Sequence, residues 1–190
     1  ISTWRASIAE PIAFVPTMGN LHLGHLSLVE EALKLHAIIV VSIFVNPSQF
    51  GPNEDLDKYP RTLEQDCQML NELLDKYPEA NLVVFAPKSP SEIYAKDYST
   101  VINPGELATV LEGKSRPGHF QGVCSVVGIL LNIVRPTTMY LGKKDYQQLK
   151  ILQKMVLDLQ FNVVIHPVET VRNESGLAMS SRNNFLSQEE

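Results

Sequence analysis

Short apolar runs alternate with longer amphipathic runs along almost the whole chain, and no other feature limits the fold as tightly. Residues 12–15, 38–45, 82–85, 99–102, 138–141 and 163–166 predict strands, and residues 23–35, 62–76, 104–111, 120–133 and 145–157 predict helices. Several strand runs are continuously hydrophobic, as in Ile38-Ile39-Val40-Val41. A strand with one wet face alternates, so these runs suit a parallel sheet covered on both sides. The βαβ rhythm implies an α/β protein with a doubly wound, Rossmann-like parallel sheet, which binds ligands beyond the carboxyl ends of its strands. No internal repeat or low-complexity segment interrupts it, and residues 87–90 and 112–117 read as loops within the domain.

A chain of 190 residues fits one domain, or one domain with an appendage, and 44% hydrophobic residues suffice for a core. The formal charge of −5 argues against a general nucleic-acid binder. No apolar run is long enough for a membrane span, and the N-terminal residues lack a secretory pattern. Cys67 and Cys124 have no metal-ligand spacing and read as reduced thiols of a cytoplasmic protein. The missing initiator Met and the stop at Ser187-Gln188-Glu189-Glu190, just after a helix-start-like phrase, suggest a piece of a longer protein.

His22-Leu23-Gly24-His25 lies where the first strand passes through Pro16-Thr17-Met18-Gly19-Asn20 into the first long helix. Histidines at i and i+3 on the first turn of a helix share a face. The free N–H groups and dipole of that turn already suit an anion. Imidazoles there can donate to a polyphosphate and to the charge that develops as it breaks, and Gly24 admits close approach. This HxGH arrangement points to nucleotidyl transfer. Two solvent-facing histidines beside a turn are the plainer alternative.

Three further stretches fall near strand or helix ends. Asn46-Pro47-Ser48-Gln49 follows the second strand, and the amides of Asn46 and Gln49 suit hydroxyl recognition, unless Asn46 only caps its own turn. Gly142-Lys143-Lys144-Asp145 follows the fifth predicted strand. Either lysine can reach phosphates, Asp145 occupies an N-cap position or holds ribose hydroxyls, and Gln148 faces the crevice one turn on. Met179-Ser180-Ser181-Arg182 combines two hydroxyls with a guanidinium, an anion clamp when paired with HxGH and an ordinary surface loop when read alone.

These stretches, with Phe44-Val45-Asn46-Pro47, Tyr59-Pro60-Arg61-Thr62, Leu111-Glu112-Gly113 and Arg116-Pro117-Gly118-His119-Phe120, resemble the pantoate–β-alanine ligase (pantothenate synthetase) family in the same order over nearly the whole chain. The resemblance implies an HxGH-type nucleotidyltransferase fold with residues 1–175 as the ATP- and pantoate-binding domain. Residues 176–190 would be the Ser-Ser-Arg loop and the start of a C-terminal lid domain that covers the site in family members and is absent here. The implied reaction is ATP-dependent condensation of pantoate with β-alanine through pantoyl adenylate, releasing pyrophosphate and AMP. ATP is a substrate, Mg²⁺ travels with it, and a homodimer is expected, with neither nucleic acid nor membrane as partner.

The implied catalytic residues are His25, the expected proton donor, with His22 and Lys144. The implied ATP site is Met18, Gly19, Asn20, Leu21, His22, Leu23, Gly24 and His25, with Gly142, Lys143, Lys144, Asp145, Val171, Met179, Ser180, Ser181 and Arg182. Gln49, Gln148 and Asn46 would bind pantoate. No protein metal cage is expected, with Asp66 a weak candidate ligand. His36 is expected to cap the first helix and His166 to be structural. His119 would fix a loop or take part directly, and Glu112 would orient Arg116. A nucleotidyltransferase acting on a phosphate acceptor, or a non-catalytic nucleotide-binding scaffold, are the competing readings. The amide set fits a hydroxy acid better than a phosphate.

Overall fold

In the computed structural model, which describes residues 1–52, 54 and 56–185, five parallel strands form one sheet. They are β1 (Ile12–Thr17), β2 (Ile38–Ile43), β3 (Asn81–Phe85), β4 (Thr138–Gly142) and β5 (Val164–Val168), in the order β3-β2-β1-β4-β5. The order reverses between β1 and β4, which opens a crevice at their carboxyl ends. Register is continuous, with Phe14 beside Val40 and Met139, and Tyr140 beside His166.

Strand residues feed two cores in alternation. Ile12, Phe14, Ile38 and Val40 face the cluster that holds Phe120, Leu130 and Leu152. Ala13, Val15, Ile39 and Val41 face the cluster that holds Val29, Leu70 and Tyr140. Helices α2 (Leu23–Leu33) and α3 (Leu63–Leu74) cover the second face; α5 (His119–Val134) and α6 (Tyr146–Asp158) cover the first. This two-sided burial accounts for the continuous apolar runs. The short α1 (Ser2–Ala6), missed in the sequence, docks on the end of α5. Arg5 donates to the carbonyls of Val134 (2.9 Å) and Arg135 (3.2 Å), satisfying groups that the helix end leaves open.

Three expectations are corrected. Residues 99–102 form no strand; the backbone N–H of Ile102 bonds Ser125 Oγ at 2.9 Å and its side chain lies against Gly128, so the segment crosses α5 outside the sheet. The helix expected over 104–111 shrinks to a 3₁₀ turn, Gly105–Ala108, bounded by positive φ at Gly105 and Leu111. The loop expected at 112–117 contains the one-turn helix α4 (Glu112–Ser115). Asn53 and the terminal run 187–190 lie outside the described residues.

Candidate active site

The Pro16–Gly19 turn delivers the chain from β1 to α2 with two consecutive left-handed residues, Gly19 (φ 83°) and Asn20 (φ 51°). Asp66, buried on α3, holds that turn. Its carboxylate accepts from the N–H of Asn20 (3.0 Å) and Leu21 (2.8 Å) and from the Thr62 hydroxyl (3.2 Å). A Cβ on Gly19 would stand 3.0 Å from Asp66 Oδ2. Asp66 is therefore a clamp on the turn, and its oxygens are committed to these donors rather than to a metal.

The two histidines cap α2 reciprocally. His22 Nδ1 accepts from Gly24 N–H at 3.1 Å, and His25 Nδ1 accepts from His22 N–H at 3.3 Å. With both Nδ1 atoms accepting, each neutral ring carries its proton on Nε2. Burial, with His22 and Lys144 nearby, pushes the His25 pKa down to about 3. Burial first and Lys144 second also lower His22. At neutral pH both rings are uncharged hydrogen-bond donors. Gly24 serves His22 first, since a Cβ there would approach its ring to 2.9 Å.

A cleft of about 260 Å³ opens beside them. Met18, His22, Gly24 and His25 line it from the first turn, and Asn46 and Gln49 from the loop after β2. Gly142, Lys144, Asp145 and Gln148 line it after β4. Val171, Met179, Ser180, Ser181 and Arg182 close the remaining side. The structure thus gathers most of the residues singled out by sequence into one crevice at the strand-order reversal. Gly19, Asn20, Leu21, Leu23 and Lys143 do not line it. The first three shape the turn, while Lys143 pairs with Glu169, itself in the wall. Lys144 pairs with Asp145 at 2.9 Å, and Asp145 begins α6 without a side-chain cap bond.

Gln49 is held from two sides. Its backbone carbonyl accepts from His119 Nδ1 at 2.8 Å, which leaves His119 Nε2 to accept from Arg116 Nη1 at 3.1 Å, and its side-chain Oε1 accepts from Asn46 Nδ2 at 3.0 Å. Arg116 in turn is gripped by both oxygens of Glu54 (2.6 and 2.7 Å) and by Glu112 (2.8 Å). The Arg116 guanidinium holds the Glu54 carboxyl down at about 2. His119 is thereby a loop-fixing residue with both ring nitrogens engaged. Glu54 escaped the sequence reading because its partner lies 62 positions away. His36 does not cap α2 with its ring; its Nε2 meets Tyr140 OH at 3.1 Å, while His166 packs against the Tyr140 ring with centroids 4.9 Å apart.

The whole chain, residues 1–190, matches the family model described as pantoate-beta-alanine ligase. It is 55% identical over 179 residues to the pantothenate synthetase of Aquifex aeolicus, an alignment covering 94% of this chain and 61% of that protein. The crystal structure of the Thermus thermophilus pantothenate synthetase superposes with a TM-score of 0.89 at 48% identity, covering 98% of this chain and 66% of that one. The Francisella tularensis pantoate-beta-alanine ligase, complexed with beta-gamma ATP and beta-alanine, also gives 0.89, at 43% identity over 98% of this chain and 70% of that one. This chain spans 61% to 66% of the length of the relatives it matches by sequence. With the full-length family match, half-identical relatives and a shared fold, the chain belongs to the pantoate–β-alanine ligase family.

Proposed function

We propose that this chain carries the nucleotide- and acid-binding site of a ligase that condenses pantoate with β-alanine, driven by ATP. In the first step a pantoate carboxylate oxygen attacks the α-phosphorus of ATP, forming pantoyl adenylate and releasing pyrophosphate. In the second, the β-alanine amine attacks the acyl carbon, forming the amide of pantothenate and releasing AMP. The relative complexed with beta-gamma ATP and beta-alanine supports two of these substrates. The observation that carries the reading is the pair of Nε2 donors, on His22 and His25, at a helix N-terminus beside a cleft that also holds Lys144.

Neutral Nε2–H groups stabilise negative charge on the phosphates without giving up their protons. His25, a neutral ring with a pKa of about 3, offers its Nε2–H as a hydrogen-bond donor. Lys144 adds positive charge, and Ser180, Ser181 and Arg182 close on the triphosphate. Gly142 and Asp145 meet the ribose, and Val171 meets adenine. Gln49 and Gln148 hold pantoate so that a carboxylate oxygen faces the α-phosphate. Mg²⁺ would enter on the nucleotide's own phosphates, as suits a cation that keeps most of its waters and is bound through substrate phosphates.

A homodimer formed through this domain and a cytoplasmic location belong to the same proposal. Both cysteines are free thiols. Among the described residues no helix is long and apolar enough to cross a membrane. The test is pantoate-dependent exchange of labelled pyrophosphate into ATP, with Mg²⁺ and without β-alanine. Exchange that requires pantoate is the expected result; exchange indifferent to pantoate would refute carboxylate adenylation.

A further inference from the structure

In the wall of the cleft, Asn46 is almost fully buried and its side-chain amide is completely engaged. Its Oδ1 accepts from Ser48 N–H at 3.2 Å, from Ser48 Oγ at 2.9 Å and from Tyr94 OH at 2.6 Å. Its Nδ2 donates to Gly122 C=O at 3.3 Å and to Gln49 Oε1 at 3.0 Å. A backbone N–H can only donate and a backbone carbonyl can only accept, so Ser48 and Gly122 leave Asn46 one amide orientation. Turned over, it would set NH₂ against N–H and C=O against C=O.

That constraint passes to the next amide. With Nδ2 of Asn46 as its neighbour, Gln49 must point Oε1 inward to accept, and its NH₂ is what remains for the cleft. Gln49 therefore offers a ligand donors, as a carboxylate or an ether-like lone pair requires, and its side-chain carbonyl is already engaged. Tyr94 lies outside the cleft wall, just past the 3₁₀ turn Pro90–Glu92, and reaches Asn46 from behind. Its half-buried phenol also stands 3.0 Å from the Ser48 hydroxyl, so it braces Asn46 Oδ1 together with Ser48.

We infer that Asn46 is a positioning residue that sets the donor polarity of Gln49, that Tyr94 is a second one that holds Asn46 in place, and that through Gln49 they determine how tightly the site takes an anionic hydroxy acid. Asn46 accordingly acts through Gln49 instead of binding pantoate itself, as the sequence had suggested. The inference rests on the pantoate reading given above. The relay places no group near the phosphates, so its effect falls on the acid and spares the nucleotide.

A double-mutant cycle tests it: Tyr94→Phe, Gln49→Ala and the pair, each titrated with pantoate in the presence of a non-hydrolysable ATP analogue and, separately, with the analogue alone. Tyr94→Phe keeps the ring and removes only the hydroxyl. The expected result is a pantoate affinity about 3- to 10-fold weaker in the native background, no further change in the Gln49→Ala background, and unchanged analogue affinity throughout. Asn46→Asp, which can only accept, is expected to weaken pantoate more strongly by forcing Gln49 to turn. Equal losses from Tyr94→Phe in both backgrounds, or a parallel loss of analogue affinity, overturn the relay while leaving the functional reading intact. Native protein that binds the analogue but never pantoate overturns the functional reading and the relay with it.

Discussion

His22 and His25 cap the same helix turn with their rings 4.0 Å apart, and each commits its Nδ1 to a backbone N–H so that Nε2 is left for the cleft. The cap and the chemistry use opposite ends of one ring, which allows them to be separated by substitution. In His25→Asn the amide oxygen can replace Nδ1 as the acceptor for His22 N–H, while nothing replaces Nε2. The expected outcome is a folded protein whose pantoate-dependent pyrophosphate exchange falls about 10²- to 10³-fold, the usual cost of one donor to a developing oxyanion. An exchange rate near the native one would show that His25 Nε2 does not touch the reacting phosphate.

The same burial makes the fold sensitive to acid. His25 titrates near 6.5 when unfolded and at about 3 in the native state, so between those values the unfolded chain binds the extra proton. Stability then rises with pH across the window and is lost as pH falls, by about 1.4 kcal/mol per pH unit from this group alone. His22, His36 and His119 are lowered in the same direction. Glu54, held at about 2 by Arg116, adds a further loss only below the ordinary carboxylate range. Urea unfolding of native protein and His25→Asn between pH 5 and 6.5 isolates the histidine contribution. The variant should show a slope shallower by up to one proton; identical slopes would mean that His25 is not buried as a neutral ring.

Much of this was legible in the sequence because it is local or periodic. HxGH carries its chemistry within four residues, and the apolar runs of β1, β2 and β4 report two-sided burial directly. What escaped depends on contacts between distant positions. Thr100-Val101-Ile102 has strand-like composition, yet Ile102 is captured by Ser125 and Gly128 of α5. Asp66 lies on a helix with nothing local to show that it faces two backbone N–H groups 45 and 46 residues earlier. Glu54 and Tyr94 act on the site through Arg116 and Asn46, and no short-range spacing encodes such pairings.

Asp66 offers a direct measure of how much the first turn depends on its clamp. In Asp66→Asn one carboxylate oxygen becomes an NH₂ that confronts a backbone N–H, leaving a buried donor unsatisfied. The expected loss is about 2 kcal/mol, a fall in Tm of roughly 4–8 °C for a domain of this size. Nucleotide affinity should weaken as well, because Asn20 and Leu21 lead directly into His22. A variant with native Tm would mean that the Asp66 bonds add nothing beyond what water supplies.

Gly122 tests whether the loop after β2 must lie hard against α5. A Cβ at this position would sit 2.2 Å from the Ser48 carbonyl oxygen and 2.7 Å from Gln49 Cα, both backbone atoms that cannot swing aside. Gly122→Ala therefore has to push the Pro47–Gln49 turn outward, stretching the Asn46–Gly122 and His119–Gln49 bonds together. Alanine favours the helix by about 1 kcal/mol, so any net loss understates the collision. We expect destabilisation of about 1–3 kcal/mol by urea unfolding and pantoate affinity at least tenfold weaker. ATP affinity should change far less, since the histidine turn stands on the other side of the cleft. Stabilisation with unaltered pantoate binding would show that the turn can retreat without disturbing Gln49, and would contradict the close packing on which its orientation depends.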